Sequence, residues 1–262
     1  MSLPQLAYTV HPGKGPYLGL VHGFLSSSSQ WMHNLGALAR VCRPVTIDLL
    51  GHGKSPAPDN SEMYHPDAYI HALSQIHSEL GGNPWFVCGY SIGAGLTIRY
   101  THRCQSAVLG HIFTNSSSGF ADTDQAAIWR TEGPLTAQKI ADKGLRAIER
   151  IAVHPKFAKR LPNDIYNALV MDAHGLSPAG VANTLRITTP NVSIRDIACA
   201  NNRPALLCHG TFEARFEQAK LWAVANMPML EVVDLAAGHG VNMEDSKGFN
   251  RAVCAFIERH TP

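Results

Sequence analysis

The chain has 262 residues, 45% hydrophobic and 16% charged, with a formal net charge of +2 when histidine is neutral. That length and composition fit a soluble globular protein near the upper end of one α/β domain, and they exclude wholesale disorder. The small positive excess leaves no electrostatic footprint for nucleic acid or a membrane surface, and no apolar run nears the roughly 20 residues that span a bilayer. The first strand is expected in PYLGLVHG (16–23), then a helix in SQWMHNLGALAR (29–40) and a strand in RPVTIDL (43–49). After a Gly/Pro-rich loop through Pro58 come a helix over 67–80, a strand over 83–89, a helix over 92–103 and a strand over 107–116. Such alternation predicts parallel βαβ units in a doubly wound sheet.

From about Gly119 to Ala198 the alternation gives way to helical stretches, with TDQAAIWR, TAQKIADKGLRAIERIAV, NDIYNALVMDAHG and PAGVANTLRI as candidates. It resumes with the strand RPALLCHG (203–210), a helix around EQAKLWAVAN, the strand MLEVVDL (229–235) and a final helix, SKGFNRAVCAFIERH. The division expected is a core of residues 1–118 and 199–262 with a helical lid, 119–198, inserted between two strands. A lid there sits over the carboxyl edge of the sheet, where doubly wound folds bind ligands. The N-terminus shows no charged segment followed by an apolar core, so no secretory signal is read. The six cysteines form no CxxC pair, and the 14 histidines no HExxH or HxxxH cluster. Reduced thiols in a cytoplasmic protein, with no metal and no cofactor, are expected.

The chemistry centres on Gly89-Tyr90-Ser91-Ile92-Gly93. Alone, G-x-S-x-G is a weak signal in a glycine-rich chain. Here an apolar strand, WFVCG, runs into it and a helix opening on IGAGL leaves it, the strand–turn–helix setting of a nucleophile elbow. So tight a turn needs small residues on both sides of the serine. It presents the Ser91 hydroxyl at the sheet edge and the Ile92 amide at a helix N-terminus, where it can stabilise an oxyanion. His22-Gly23-Phe24 follows the first long strand, and the Phe24 amide is the candidate second donor.

In this order of elements the base lies near the C-terminus, and LEVVDLAAGHGVNMED supplies His239 in a loop after the last strand. His209 precedes the acid and suits packing. The acid expected after the strand LLCHG is Glu213, with Asp122 as the alternative. Glu244 and Asp245 read as first-turn acids that favour a helix dipole. Tyr90, Trp129, Arg130 and Arg186 are candidate substrate-binding residues, the arginines for a substrate carboxylate.

HGF (22–24), DLLGHGKS (48–55), GYSIG (89–93) and GHGVNMED (238–245) resemble, in order, the recurring motifs of the α/β-hydrolase superfamily. The lid and C-terminal half, through GLRAIERIAVHPKF, SPAGVANTLR and HGTFEARF, look most like the branch typified by 2-succinyl-6-hydroxy-2,4-cyclohexadiene-1-carboxylate synthase. That resemblance implies a triad serine and histidine used for a pyruvate-eliminating proton abstraction on an anionic substrate held by arginines. Two departures count against the same substrate: Gly95 stands where the branch has an arginine, and Glu213 replaces its aspartate.

Three functions therefore stand side by side. The first is a serine hydrolase of a small carboxylic ester, lactone or thioester. The second is a lyase or C–C bond-cleaving enzyme acting on an enolisable acid. The third, a non-catalytic small-molecule receptor on the same fold, is disfavoured by an intact elbow and histidine.

Overall fold

In the computed structural model, which describes residues 5–262, seven strands form one sheet in the order β1-β3-β2-β4-β5-β6-β7. They are β1 (Tyr8–Val10), β2 (Tyr17–Val21), β3 (Arg43–Ile47), β4 (Trp85–Gly89), β5 (Val108–Thr114), β6 (Ala205–Gly210) and β7 (Leu230–Leu235). Every pairing is parallel except that of β1 with β3. The sequence reading has no counterpart to β1. Three half-exposed residues are too few to show a period of two.

The central strands are buried on both faces, which explains their unbroken apolar runs. Leu18, Leu20, Phe86, Cys88, Ile112, Leu206 and Cys208 face one side. There they meet Leu38 of α1 (Met32–Leu38) and Phe249, Val253, Phe256 and Ile257 of the last helix, α11 (Ser246–His260). Trp85 and Val87 point the other way, toward α2 (Pro66–Glu79) and α3 (Ile92–Arg103). On that same side Ala205 and Leu207 pack near Phe216 and Ala223, the latter on α9 (Glu217–Asn226).

Between β5 and β6 lie α4 (Thr123–Lys143), α5 (Leu145–Ile148), α6 (Asn163–Ala173) and α7 (Pro178–Asn183), the last passing through a π-turn at Thr184–Thr188 into α8 (Thr189–Asn191). This region has its own small core, Ile140, Ile148, Ala173, Leu176 and Val181, which closes on Leu25. Two helices expected around Gly133-Pro134 are here one, and the break falls later, at Gly144, whose φ of +58° suits glycine. Gly133 explains the continuity. A side chain there would strike the Leu185 carbonyl at 2.6 Å, so α4 lies against the π-turn and tolerates the bond lost at Pro134. All six cysteines are free thiols, and among the described residues no helix is long and apolar enough to cross a membrane.

Candidate active site

Ser91 joins β4 to α3, Glu213 follows β6, and His239 lies between β7 and the one-turn helix α10 (Val241–Glu244). Three carboxyl-end loops thus deliver three side chains to one place. Ser91 has φ +54° and ψ −121°, a conformation that costs a non-glycine residue of order 1–3 kcal/mol and holds its side chain out of the turn. The flanking glycines permit it. A side chain on Gly89 would meet the Gly93 carbonyl at 2.3 Å, and one on Gly93 the His22 carbonyl at 2.5 Å. Ser116 pins the turn from below, its hydroxyl donating to the Ser91 carbonyl at 2.6 Å.

His239 Nε2 lies 3.0 Å from Ser91 Oγ, and His239 Nδ1 lies 2.8 Å from Glu213 Oε2. Glu213 is only 7% exposed. Burial alone would raise its pKa, but hydrogen bonds and charge from His239, with Arg215 and Asn115, outweigh that and hold the carboxyl at about 2. Arg215 Nε donates to Oε1 at 2.7 Å, and Asn115 Nδ2 donates to Oε2 at 3.0 Å. An ionised carboxylate only accepts, so the proton of a neutral His239 sits on Nδ1. The Nε2 lone pair then faces the serine hydroxyl.

The second loop at the site is Gly23-Phe24-Leu25. A Cβ on Gly23 would meet the Tyr90 ring at 2.6 Å and Ser91 Cβ at 3.1 Å, so only glycine lets this loop approach the serine. Leu25 adopts φ +58°, and its amide donates to His52 Nε2 at 3.2 Å. His52 donates from Nδ1 to the Leu50 carbonyl, and burial lowers its pKa to about 3, so it is a neutral structural acceptor. His22 is likewise neutral, accepting from the Leu49 amide and donating to the Gly23 carbonyl. The DLLGHGKS stretch is therefore a brace for this loop. Its Asp48 accepts from Ser28 and from the Lys54 amide. Among the described residues the Phe24 amide has no hydrogen-bond acceptor, and the Ile92 amide opens α3, where backbone donors lack intrahelical partners.

A cavity of about 640 Å³ opens over Ser91 and His239. Phe24, Tyr90, Leu169 and Met243 form its inner wall, and residues 152–155 and 157–161, with Phe212 and Arg215, its mouth. Tyr90 sits edge-on to the His239 ring, 5.3 Å between centroids. Of the expected substrate contacts, Trp129, Arg130 and Arg186 are not part of this cavity. Arg130 lines a separate polar cleft with Asp122, and Arg186 turns back to Asn183 at 2.9 Å. Helical pattern marks an exposed face without telling which side of the insertion meets the serine. The cations actually at the mouth are Lys159, Arg160 and Arg215. Asp122 caps α4, accepting from the Gln125 amide at 2.9 Å, and His209 is buried against Asp234. Asn115 and Ser116 escaped the sequence reading, although a polar N-S pair closing an apolar strand was the available signal.

A profile of the alpha/beta hydrolase family matches residues 20–252. The chain is 25% identical over 248 residues to a Bacillus subtilis protein that bears the name of a 2-succinyl-6-hydroxy-2,4-cyclohexadiene-1-carboxylate synthase, covering 90% of this chain and 88% of that one. Among solved structures, MenH from S. aureus superimposes with a TM-score of 0.85 at 21% identity, covering 97% and 99% of the two chains. The enol-lactonase from Burkholderia xenovorans LB400 does so with a TM-score of 0.83 at 20% identity, covering 97% and 96%. With a match over most of its length, a seven-stranded sheet of the same architecture and relatives in the synthase-like branch, the chain belongs to the α/β hydrolase family and is an enzyme of hydrolase type.

Proposed function

We propose that this enzyme cleaves a small carboxylic ester, lactone or thioester through an acyl-enzyme on Ser91, with residues 119–198 acting as its lid. The observation that carries this reading is the continuous relay from Ser91 Oγ through His239 to Glu213, at 3.0 and 2.8 Å, on the floor of a cavity. His239 takes the serine proton as Oγ attacks the carbonyl carbon, and Glu213 stabilises the imidazolium that forms. The amides of Phe24 and Ile92 receive the tetrahedral oxyanion. His239 returns the proton to the leaving group, and water, activated by the same histidine, releases the acid and restores the serine.

A second reading is a lyase that uses the serine–histidine pair as a base, and the kinship with the synthase-named relative favours it. Gly95 argues against the same substrate. A Cβ there would meet Val192 Cγ2 at 2.8 Å, the Val192 carbonyl at 2.9 Å and Gly119 Cα at 3.1 Å. Main chain fills the space an arginine side chain would need. The test is a fluorophosphonate probe with the adduct mapped, followed by p-nitrophenyl esters of increasing acyl length. The proposal expects a Ser91 adduct and ester turnover that Ser91→Ala abolishes. An unlabelled serine removes the nucleophile, whereas labelling without turnover of any ester transfers the case to the lyase.

A further inference from the structure

We propose that Glu244 is a positioning residue that holds the His239 loop in its working geometry, an inference that rests on His239 being the base. Its carboxylate clasps the two amides on either side of the histidine: Gly238 N–H donates to Oε2 at 2.7 Å and Gly240 N–H to Oε1 at 3.1 Å. Each oxygen takes one donor, so the backbone segment carrying His239 is fixed at both ends by one side chain. Glycine on both sides leaves the carboxylate room for this. A Cβ on Gly238 would stand 3.2 and 3.3 Å from the two carboxylate oxygens, and one on Gly240 3.0 Å from Oε1.

Glu244 keeps the first-turn place expected of it, in α10, and adds these two bonds to it. The next helix, α11, is capped by Asp245, which accepts from the Gly248 amide at 2.9 Å. Glu244 turns back, its side chain only 12% exposed, and Arg160 at the cavity mouth lies 3.9 Å away. From behind, the same loop is anchored by Asn242, whose Nδ2 donates to the Gln30 carbonyl and to Asn34 Oδ1, at 3.0 and 3.1 Å. Glu244 grips the front of the loop and Asn242 the rear. The imidazole between them is left to rotate only within the hydrogen bonds it makes to Glu213 and Ser91. Because a misplacement of about 1 Å can lower a rate ~10²-fold, such a clasp acts on turnover more than on substrate binding.

The test compares Glu244→Ala, Glu244→Gln and His239→Ala by ester turnover, with active sites titrated by the fluorophosphonate and melting temperature recorded. Alanine leaves both amides without an acceptor. Glutamine keeps one acceptor and presents an NH2 to the other amide. The expected result is kcat per titrated site down about 10- to 100-fold in Glu244→Ala and about 3- to 10-fold in Glu244→Gln, with KM within about twofold. A kcat within twofold of the parent in both variants, or a loss carried by KM, overturns the proposal. Should the alanine variant not fold, the near-isosteric glutamine variant decides it on the same criterion. If His239→Ala keeps its turnover, the base assignment itself falls, an outcome separate from any Glu244 result.

Discussion

The loops at the carboxyl ends of β4, β6 and β7 and the helices between β5 and β6 both line the cavity, but they are built differently. In the loops the polar groups are bonded to one another, and Glu213 is both buried and multiply bonded. Glu213 alone accepts from Arg215, Asn115 and His239, and Ser91 is locked by close backbone contact. The helical insertion offers the cavity exposed side chains, Val153, Phe157, Lys159 and Arg160, over a core of a few aliphatic residues. A buried polar network is intolerant, because removing one member strands another. An exposed rim tolerates exchange. Substitutions in the loops are expected to lower kcat, and substitutions in the insertion to change which substrate is preferred.

The largest effect should come from Glu213→Gln, which keeps shape but lets the amide stabilise the wrong imidazole tautomer. Turnover of a p-nitrophenyl ester is expected to fall about 10⁴-fold with KM little changed. Asp122→Asn is the control, since asparagine caps a helix as well as aspartate and Asp122 lies in the other cleft. Parental activity is expected there. Equal losses in both variants would erase the contrast between loop and insertion.

Next in size is Gly95, where the two regions touch. Gly95→Ala should destabilise by about 1 kcal/mol, and Gly95→Arg by about 3 kcal/mol or more, as overpacking forces residues 119 and 192 apart. Urea unfolding measures both. Neither variant should gain turnover of an anionic enolisable acid. If Gly95→Arg were stable and gained it, the site would stand closer to the synthase than its packing implies.

What could be read from the residues divides along the same line. The predicted limits of α3 and α11 coincide with those observed, 92–103 and 246–260, because the elbow turn and the Asp245 cap are local signals. The places of Ser91, His239 and Glu213 at strand ends are legible for the same reason, since short connections leave a residue after a strand few places to go. Trp129, Arg130 and Arg186 were misplaced because the facing of an inserted helix is set by tertiary packing, here by Gly133 on the π-turn. Glu244 is a first-turn acid, of α10, and what its sequence position does not show is its bonding to the Gly238 and Gly240 amides. That acceptor role depends on the carboxylate reaching back to the loop before its own helix, which no periodicity announces.

Phe157 tests the insertion directly. It is 49% exposed at the mouth, with Lys156 over its ring at 5.2 Å. Phe157→Ala should leave kcat on short acyl esters within about twofold and raise KM on long ones by up to about tenfold, since a partly exposed ring contributes roughly 1 kcal/mol of apolar contact. A fall in kcat on every ester would instead make the rim part of the reacting geometry.

The smallest effect lies in neither region but in the sheet that carries both. His111 of β5 is fully buried, stacked on Phe113, and among the described residues neither ring nitrogen has a hydrogen-bond partner. Burial lowers its pKa to about 3, against an ordinary value near 6.5. Between those two values the unfolded chain binds a proton that the folded chain refuses, so this group withdraws stability as pH falls from 6.5 toward 3. His111→Leu removes two unsatisfied polar atoms at nearly constant volume and is expected to add about 1 kcal/mol at pH 7. The gain should grow between pH 6.5 and 5, while His52, held neutral in the same way, leaves the remaining acid sensitivity in place. Melting curves at pH 7 and pH 5 measure it. A variant less stable than the parent at both would mean that His111 packs better than it hydrogen-bonds badly, and the acid slope of the fold would then belong to the loops around the site.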